Sequence, residues 1–535
     1  MELRSFAVSV DPSIQASVVL ILGIGVILCF CPSLVRTQNF PSSIIWVGRK
    51  NQMFSVVRAC LREYTAGLST VLDGYEKYSK AGKPFILPAI GFDAQIVLPP
   101  DHIKWLIAQP KEILSSRAVQ SEKVGIKYIA PNFTFNYDHA LIEALRVDMI
   151  RNMGRVQSEL VDEIRAVVDE TLGTDKTSWK EVNVFDAMHM IVFRASSRVL
   201  YGRDLCHNDH FIQSSLRLAT WFGLGIMVVG QVMPWPLRRF VGSVIAIPIA
   251  YYRRQCTNHL WPLLAERFEK MKRKKLDPGF EYSPPGDMIT WMTRTAIDMK
   301  DQTIESPKPV ASVFTMVNAG AISSSAVTAT HLFLDLLGYD SDLEYYHALR
   351  HEAEAAFDSP EAWLQPSRFF DLHRTDSTVR ETLRRSPMTN RGLARQVMPP
   401  DGVTLPDGQH LRQGTWIGVA VPGIHRDERF YPDPDAYQPF RFAPEQTEQQ
   451  GSNNGDHKRT LLVTTSDTFL SFGHARRACP GRWFASHVLQ LLLAYITVHY
   501  DVQPLGKRPA NAVWGDHLVP PTGTKMKVRR REVRQ

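Results

Sequence analysis

The hydrophobic positions of this chain recur mainly at helical spacing. Apolar residues three and four positions apart predict helices over residues 53–80, 101–108, 139–172 and 185–201. Two short apolar runs, 84–87 and 94–98, predict strands. A long helix is predicted from Val310 to Leu337, because a proline precedes it and a glycine follows it. In the C-terminal third, short strands and turns alternate before a last helix that runs to Tyr500.

Small residues occupy the middle of the predicted long helix, where Asn318–Ser325 reads NAGAISSS. Small side chains let another group approach the helix backbone closely, and serine hydroxyls can bond back to carbonyls and bend the helix. Two interpretations remain open. The segment either packs tightly against another helix or forms a groove that faces a ligand.

Segment 221–252 is strongly apolar and contains three prolines, at 234, 236 and 248, which are expected to interrupt its helices. One interpretation is buried core. The other is a surface that dips into a membrane, or an apolar lid over a pocket.

Composition excludes several classes of protein. Of the 535 residues, 44% are hydrophobic and 22% charged, which is typical of globular proteins and excludes wholesale disorder, collagen and coiled coil. Much of the net charge of +8 lies in the last eleven residues, as in a solvated tail. No basic stripe is interleaved with aromatic residues, so no nucleic-acid partner is expected. The six cysteines lack paired metal-binding spacing, which favours a reducing compartment over a disulfide scaffold.

The N-terminal region predicts a membrane anchor over residues 16–35, which are apolar and long enough to span a bilayer. The preceding segment is net negative, unlike the basic start of a cleaved signal peptide. Arg36, Arg49 and Lys50 follow the apolar stretch, and the positive-inside rule then places the rest of the chain in the cytosol. We therefore expect a short lumenal segment (1–15), a transmembrane anchor (16–35) and a cytosolic domain (36–535).

The segment Phe472–Arg482 carries the most informative chemistry. A turn-rich loop leads into a helix, so Cys479 is expected at a helix N-terminus with Arg477 nearby. Both features lower the pKa of a thiol and favour the thiolate, the form that binds metal. A single thiolate without a partner cysteine or histidine does not suit structural zinc. It suits the one protein ligand of a haem iron.

Four segments together resemble the cytochrome P-450 monooxygenases. The cysteine loop matches the haem-binding signature of that family at Phe472, Arg477, Cys479 and Gly481. The other three, in the same order as in the family, are a Glu-x-x-Arg helix at 381–384, a meander at 437–442 preceded by His425-Arg426-Asp427, and the small-residue stretch 319–325. Thr328–His331, with Asp335 and Leu336, resembles fungal members that act in secondary metabolism, including the ent-kaurene-oxidase-like group.

The resemblance implies the cytochrome P-450 fold, mainly α with small β-sheets (α+β), as one large catalytic domain behind the anchor. It implies that Cys479 is the axial ligand of the haem iron, that Phe472 packs beside the thiolate, and that Gly481 belongs to the haem-binding loop. Arg477, and more weakly Arg395, would pair with a haem propionate. Glu381, Arg384 and Arg441 would form a buried charge network with a structural role, and Ser323 and Ser324 would act in oxygen activation.

Three positions depart from the family pattern. Ala475 stands where a glycine is usual, at a position that needs a left-handed backbone. No Trp-x-x-x-Arg motif follows residue 136, which leaves Arg146 as a substitute contact for a propionate. Ser323 and Ser324 stand where many members have an acid followed by threonine.

The expected function is that of a haem-thiolate monooxygenase anchored in the endoplasmic reticulum membrane. Its substrate would be a hydrophobic secondary metabolite such as a terpenoid, indole-diterpenoid or polyketide. Electrons from NADPH would arrive through a separate cytochrome P-450 reductase, with cytochrome b5 as an optional second donor, because the chain has no flavin or nicotinamide motif. The alternatives are a haem-thiolate isomerase or dehydratase, which the altered serine pair would allow, and a non-enzymatic haem sensor or carrier.

Overall fold

The structure, a computed structural model, describes residues 40–50, 55–89, 94–131, 133, 138–298, 308–444 and 461–532. The predicted segments 1–15 and 16–35 lie outside these residues. Over the described part, the fold is mainly α with small β-sheets, which confirms the predicted class.

Helices make up most of the described chain. In the N-terminal half they are α1 Ser55–Lys77, α2 Ile103–Ala108, α3 Ser116–Lys123, α4 Ile126–Ile129, α5 Asp138–Glu143, α6 Met149–Arg151, α7 Met153–Leu172, α8 Val184–Tyr201, α9 Arg203–Cys206, α10 Asp209–Gly225 and α11 Trp235–Leu276. In the C-terminal half they are α12 Met288–Asp298, α13 Lys308–Tyr339, α14 Glu344–Ala356, α15 His373–Arg385, α16 Val421–His425 and α17 Arg482–His499. Two π-helical segments, Ala144–Asp148 and Ile226–Val232, follow α5 and α10.

The strands form four small sheets in the described residues. They are β1 Ile45–Trp46, β2 Phe85–Leu87, β3 Gln95–Leu98, β4 Leu114–Ser115, β5 Lys180–Asn183, β6 Arg391–Val397, β7 Val403–Thr404, β8 His410–Leu411, β9 Trp416–Ala420, β10 Tyr500–Val502, β11 Ala512–Trp514, β12 His517–Val519 and β13 Lys525–Arg530. The largest sheet has the order β1-β2-β3-β9-β6-β4, and β10-β13-β5, β11-β12 and β7-β8 form the others. In the six-stranded sheet, neighbouring strands are antiparallel, except that β1 is parallel to β2 and β3 is parallel to β9.

Two hydrophobic cores meet at the start of the cysteine loop. The larger core lies among the long helices, and the smaller one lies against the six-stranded sheet. Leu470 is buried in the smaller core, whereas Phe472 packs against the larger one. The loop that carries Cys479 is therefore attached to both halves of the domain.

Helix α13 runs without interruption past the serine-rich stretch. Its C-terminal half is buried in the larger core, where Leu332, Phe333 and Leu336 are fully enclosed. Gly338 lies within its last turn, where a Cβ atom would come 2.5 Å from the Cα atom of Arg508. Glycine is therefore required here by the close approach of the chain after α17.

Helix α11 shows that the prolines of the apolar segment do not all break it. Pro236 lies in the first turn, where its missing N–H costs no hydrogen bond, as expected for a helix start. Pro248 lies inside the continuous helix, contrary to the predicted interruption. Ile245 and Ile249, on either side of it, are buried against neighbouring elements, so tertiary packing holds both halves in line.

The apolar segment 221–252 is partly buried core and partly apolar surface, so each of its two interpretations describes part of it. One face of α11 belongs to the larger core, but Phe240, Val244, Ile247 and Tyr251 form an exposed stripe, with 54–70% of each side chain accessible. Their spacing of four, three and four residues places them on one side of the helix. This stripe is an apolar surface without cover in the described residues.

One helical stretch in the described residues, Asp209–Val232, is long and apolar enough to cross a membrane. It comprises α10 and the π-helical segment after it, and it packs against α11 and α13. Core helices of water-soluble proteins meet the same criterion, so this finding says nothing about the predicted anchor.

Candidate active site

The cysteine loop is a tight turn that ends at the first residue of α17. The N–H of Cys479 donates to the carbonyl oxygen of Phe472 at 2.8 Å, and the N–H of Gly473 donates to that of Leu470 at 2.8 Å. Residues 475–477 form one turn of 3-10 helix between these two bonds. The loop therefore fixes Cys479 three positions before the first residue of the helix, near the helix N-terminus that the sequence predicted.

Ala475 has φ of 54°, so the position that lacks the usual glycine has the left-handed backbone expected of it. This conformation costs a residue with a Cβ roughly 1–2 kcal/mol relative to glycine. Gly473, two residues earlier, also has positive φ, at 70°. The turn keeps its shape with alanine because the hydrogen bonds on either side hold it.

Burial raises the pKa of the Cys479 thiol, so the predicted lowering is wrong. Cys479 has accessible surface, but protein atoms surround its sulfur closely enough for desolvation to dominate. The N–H groups of Gly481 and Arg482, with the charges of Arg482 and Arg146, oppose this effect only in part. The neutral thiol is therefore favoured, and a coordinated metal ion must supply the stabilisation of the thiolate.

Two arginines lie near each other beside this loop. Arg395 is buried on β6, and burial together with the charge of Arg477 lowers its pKa to about 10. The guanidinium of Arg395 donates at 2.9 Å to the carbonyl oxygen of Ala394, and no carboxylate among the described residues pairs with Arg395 or Arg477. Two neighbouring cations without a counter-ion form a binding place for an anionic group such as a carboxylate.

Arg146 also reaches the cysteine loop. It lies in the first π-helical segment, and its guanidinium nitrogen is 3.4 Å from the carbonyl oxygen of Ala478. π-Helical segments are frequent at functional sites. The structure thus places Arg146 beside Cys479, but it shows no contact of Arg146 with Arg395 or Arg477.

Glu381, Arg384 and Arg441 come together in the interior. Arg384 binds both carboxylate oxygens of Glu381, at 2.7 and 2.8 Å, and both side chains are completely buried. Nε of Arg441 lies 3.3 Å from the same carboxylate. The two arginines also donate to backbone carbonyls of the segment 425–436, so the network attaches α15 to the meander.

His425 connects this network to the cysteine loop, a role that the sequence did not reveal. Its Nδ1 donates to the carbonyl oxygen of Arg384 at 3.0 Å, and its Nε2 accepts from the N–H of Leu470 at 2.9 Å. Burial lowers its pKa to about 3, and nearby arginines add to this effect, so the ring is neutral. The motif His425-Arg426-Asp427 was the available signal, but only the fold shows what the histidine contacts.

The middle of α13 borders open space. A Cβ atom added to Gly320 would meet nothing within 4 Å, and Gly320 is exposed. Ser323 and Ser324 follow three and four residues later and are partly buried, so the three share one side of the helix. Tight helix packing therefore does not describe the position of Gly320.

His331 and Asp335, which belong to the segment that resembles fungal members, have a structural environment. Arg508 donates to Asp335 at 2.8 Å and lies 3.0 Å from Nδ1 of His331. Burial, followed by the charge of Arg508, lowers the pKa of His331 to about 3. These contacts attach α13 to the chain after α17.

The residues around Cys479 fit a haem group. Cys479 could ligate its iron, and the neighbouring cations Arg395 and Arg477 could hold its propionates. A Cβ atom added to Gly481 would meet no atom within 4 Å, so a flat ligand has room beside this residue. A thiolate-ligated haem supplies reductive activation of dioxygen. The fold and this site define a haem-thiolate enzyme.

Comparison with known proteins agrees. Residues 114–528 match the family model described as Cytochrome P-450, and the chain belongs to this family. It is 36% identical over 505 residues to the cytochrome P-450 monooxygenase polB of Polytolypa hystricis, covering 92% of this chain and 94% of that one. It is also 36% identical to lnaC of Aspergillus flavus (93% and 94% covered) and 34% identical to nodZ of Hypoxylon pulicicidum (95% and 96% covered), both named cytochrome P-450 monooxygenases. The chain is therefore a haem-dependent oxidoreductase of the monooxygenase type.

Proposed function

We propose that this enzyme inserts an oxygen atom from dioxygen into a hydrophobic intermediate of fungal secondary metabolism, such as a terpenoid, indole-diterpenoid or polyketide. The observation that carries the proposal is Cys479 in its tight loop beside the uncompensated Arg395 and Arg477. The similar fungal proteins are named cytochrome P-450 monooxygenases, which supports the reaction type. NADPH would supply the electrons through a separate reductase.

Ser324 would hold and pass the protons that oxygen activation requires. It lies on the open side of α13, and the Thr328 hydroxyl donates to its carbonyl oxygen at 3.0 Å, so the helix backbone at this point is held in place. A hydroxyl at this position can position a water molecule and relay a proton. Because Ser323 stands in place of a carboxylate, the protons that Ser324 passes on would come from water or from a hydroxyl group of the substrate.

The reductase would dock on the surface outside the cysteine loop. The guanidinium of Arg482 lies over the ring of Trp483, and Trp483 borders a mostly apolar hollow of about 480 Å³ with Ile150, Met153 and Phe370. Arg476 is exposed in the same loop. Cationic side chains in the cysteine loop, one of them stacked on a residue that borders an apolar hollow, suit a partner with an acidic face, whose approach they accelerate.

Arg476→Glu tests this docking surface, with Arg412→Glu as the control at an exposed turn after β8. We expect the first change alone to slow haem reduction by NADPH and reductase, and the wild-type rate to fall as salt increases. Rates that respond neither to salt nor to Arg476→Glu would exclude docking here.

The protein would be anchored in the endoplasmic reticulum membrane through residues 16–35, with the catalytic domain in the cytosol. The exposed stripe Phe240, Val244, Ile247 and Tyr251 supports contact of α11 with the membrane surface, because such an area is costly to leave in water. Protease added to sealed microsomes should digest the catalytic domain. Full protection, or glycosylation at the sequon Asn132-Phe133-Thr134, would contradict this topology.

The decisive experiment incubates the reconstituted enzyme with reductase, NADPH, isotopically labelled dioxygen and extracts of candidate substrates. A labelled oxygen atom in the product, formed in proportion to NADPH consumed, is the expected result. The isomerase or dehydratase alternative, which the altered serine pair favours, predicts a product without label and without NADPH consumption. Spectral binding without any product would favour the haem sensor.

A further inference from the structure

A cluster of metal-binding side chains lies apart from the haem site, where α7, α8 and α9 meet. Glu163 comes from the middle of α7, Cys206 ends α9, and His207 follows it directly. One ligand atom from each, the carboxylate oxygen, the sulfur and an imidazole nitrogen, all lie within 4.8 Å of one another. Sulfur, nitrogen and oxygen donors in one place are the ligands that zinc accepts.

The carboxylate of Glu163 is divided between two tasks. Arg194 on α8 contacts only its Oε1 atom, from two guanidinium nitrogens at 2.8 and 2.6 Å. Its Oε2 atom faces the sulfur of Cys206 at 3.7 Å and Nε2 of His207 at 2.8 Å. Arg194 therefore orients the carboxylate and leaves one oxygen for the cluster, the arrangement that supports metal ligands in known sites.

These separations are close to those of a tetrahedral zinc site. Zinc–sulfur bonds of about 2.3 Å and zinc–nitrogen or zinc–oxygen bonds of about 2.0 Å place neighbouring ligand atoms about 3.3–3.5 Å apart. The observed 3.7 and 2.8 Å lie on either side of this range. The third separation, between the sulfur of Cys206 and an imidazole nitrogen of His207, is at most 4.8 Å. Seating an ion therefore requires side-chain shifts of about an ångström or less.

Access and charge are also compatible with an ion. Cys206 and Glu163 are buried, but 42% of the His207 side chain is exposed, so solvent can reach the cluster from that side. The thiolate and the carboxylate would together carry two negative charges against the two positive charges of zinc. Arg198, which also acts electrostatically on the thiol, lies within 4 Å of the carboxylates of Glu159 and Asp162.

We propose that Glu163, Cys206 and His207 bind one Zn²⁺ ion, with water at the fourth position. Binding replaces the thiol proton of Cys206, which leaves to solvent, and no oxidation or reduction occurs. The ion links α7 to the corner between α8 and α10 and thereby stabilises this part of the domain. The haem iron and the monooxygenase reaction do not take part.

The test uses the full-length, tag-free holoenzyme, in which the haem occupies Cys479. After treatment with a chelator and dialysis, one equivalent of zinc chloride is added, and bound zinc is measured. X-ray absorption at the zinc edge should show one sulfur at about 2.3 Å and three lighter ligands at about 2.0 Å. A first shell of nitrogen and oxygen only, or no retained zinc, would overturn the proposal without any variant.

Variants then identify the ligands. Cys206→Ser and His207→Ala should each weaken zinc binding at least tenfold and abolish the rise in thermal midpoint that zinc causes in the wild type. Cys256→Ser and His210→Ala are matched controls, because they change a buried cysteine and an exposed histidine outside the cluster. They should leave the affinity for zinc and the zinc-dependent rise in thermal midpoint unchanged. Equal zinc binding by Cys206→Ser and the wild type would place the metal elsewhere and refute the assignment.

Discussion

Replacing Glu381 by glutamine is expected to destabilise the folded protein more than any comparable surface change. The carboxylate is completely buried and is the counter-ion of both Arg384 and Arg441. Glutamine keeps the size of the side chain and some of its hydrogen bonds but removes the negative charge. Two guanidinium groups would then share a buried site without compensation.

The magnitude follows from the cost of breaking a buried ion pair, which is about 3–5 kcal/mol when one partner is removed. At roughly 2.1 cal/mol/K per residue for ~500 residues, the entropy of unfolding is about 1 kcal/mol/K, so the thermal midpoint should fall by about 3–5 °C. Because the same network holds the meander and, through His425, the start of the cysteine loop, the variant should also retain less haem.

The assay follows thermal unfolding by far-ultraviolet circular dichroism and measures the haem content per folded chain. Glu266→Gln is the matched control, since Glu266 forms an exposed pair with Lys270 one turn along α11, and its loss should leave the unfolding midpoint unchanged. An unfolding midpoint of Glu381→Gln equal to that of the wild type would refute the reasoning, because it would mean that the buried charges need no partner.

Three further predictions concern the site and its pH dependence. Cys479→Ala should abolish the strongly red-shifted Soret band of the reduced carbon monoxide complex; a variant that keeps this band would show that another residue ligates the iron. Ser324→Ala should lower product formed per NADPH about tenfold, equivalent to about 1.4 kcal/mol, with substrate binding unchanged, whereas Ser325→Ala should have little effect; equal coupling in both would make Ser324 a packing residue. Because the pKa of His425 is about 3 in the folded state and ordinarily about 6.5, stability is lost as the pH falls from 6.5 towards 3. His425→Gln should flatten the slope of unfolding free energy against pH by up to about 1.4 kcal/mol per pH unit over this range, and an unchanged slope would contradict the buried neutral ring.

Some properties of this protein are local and can be predicted from the sequence alone. Helical periodicity predicted α1, α8 and the long α13 to within a few residues, because apolar spacing, an early proline and a late glycine act over single turns. The left-handed backbone at Ala475 was expected from the family resemblance, because alanine stands there where glycine is usual. The family follows from the cysteine loop and three other short segments in order, each recognisable without tertiary information.

Other properties depend on what the fold brings together and could not be predicted. The pKa of Cys479 is raised rather than lowered, because desolvation by surrounding protein exceeds the effect of the helix start. Pro248 does not break α11, because core packing on both sides holds the helix. His425 and Leu470 are 45 residues apart in sequence, and Glu163 and Cys206 are 43 apart, yet each pair is in contact. Periodicity and motifs describe what each segment forms by itself, whereas burial, ion pairing and metal-binding geometry depend on distances that exist only after the chain has folded.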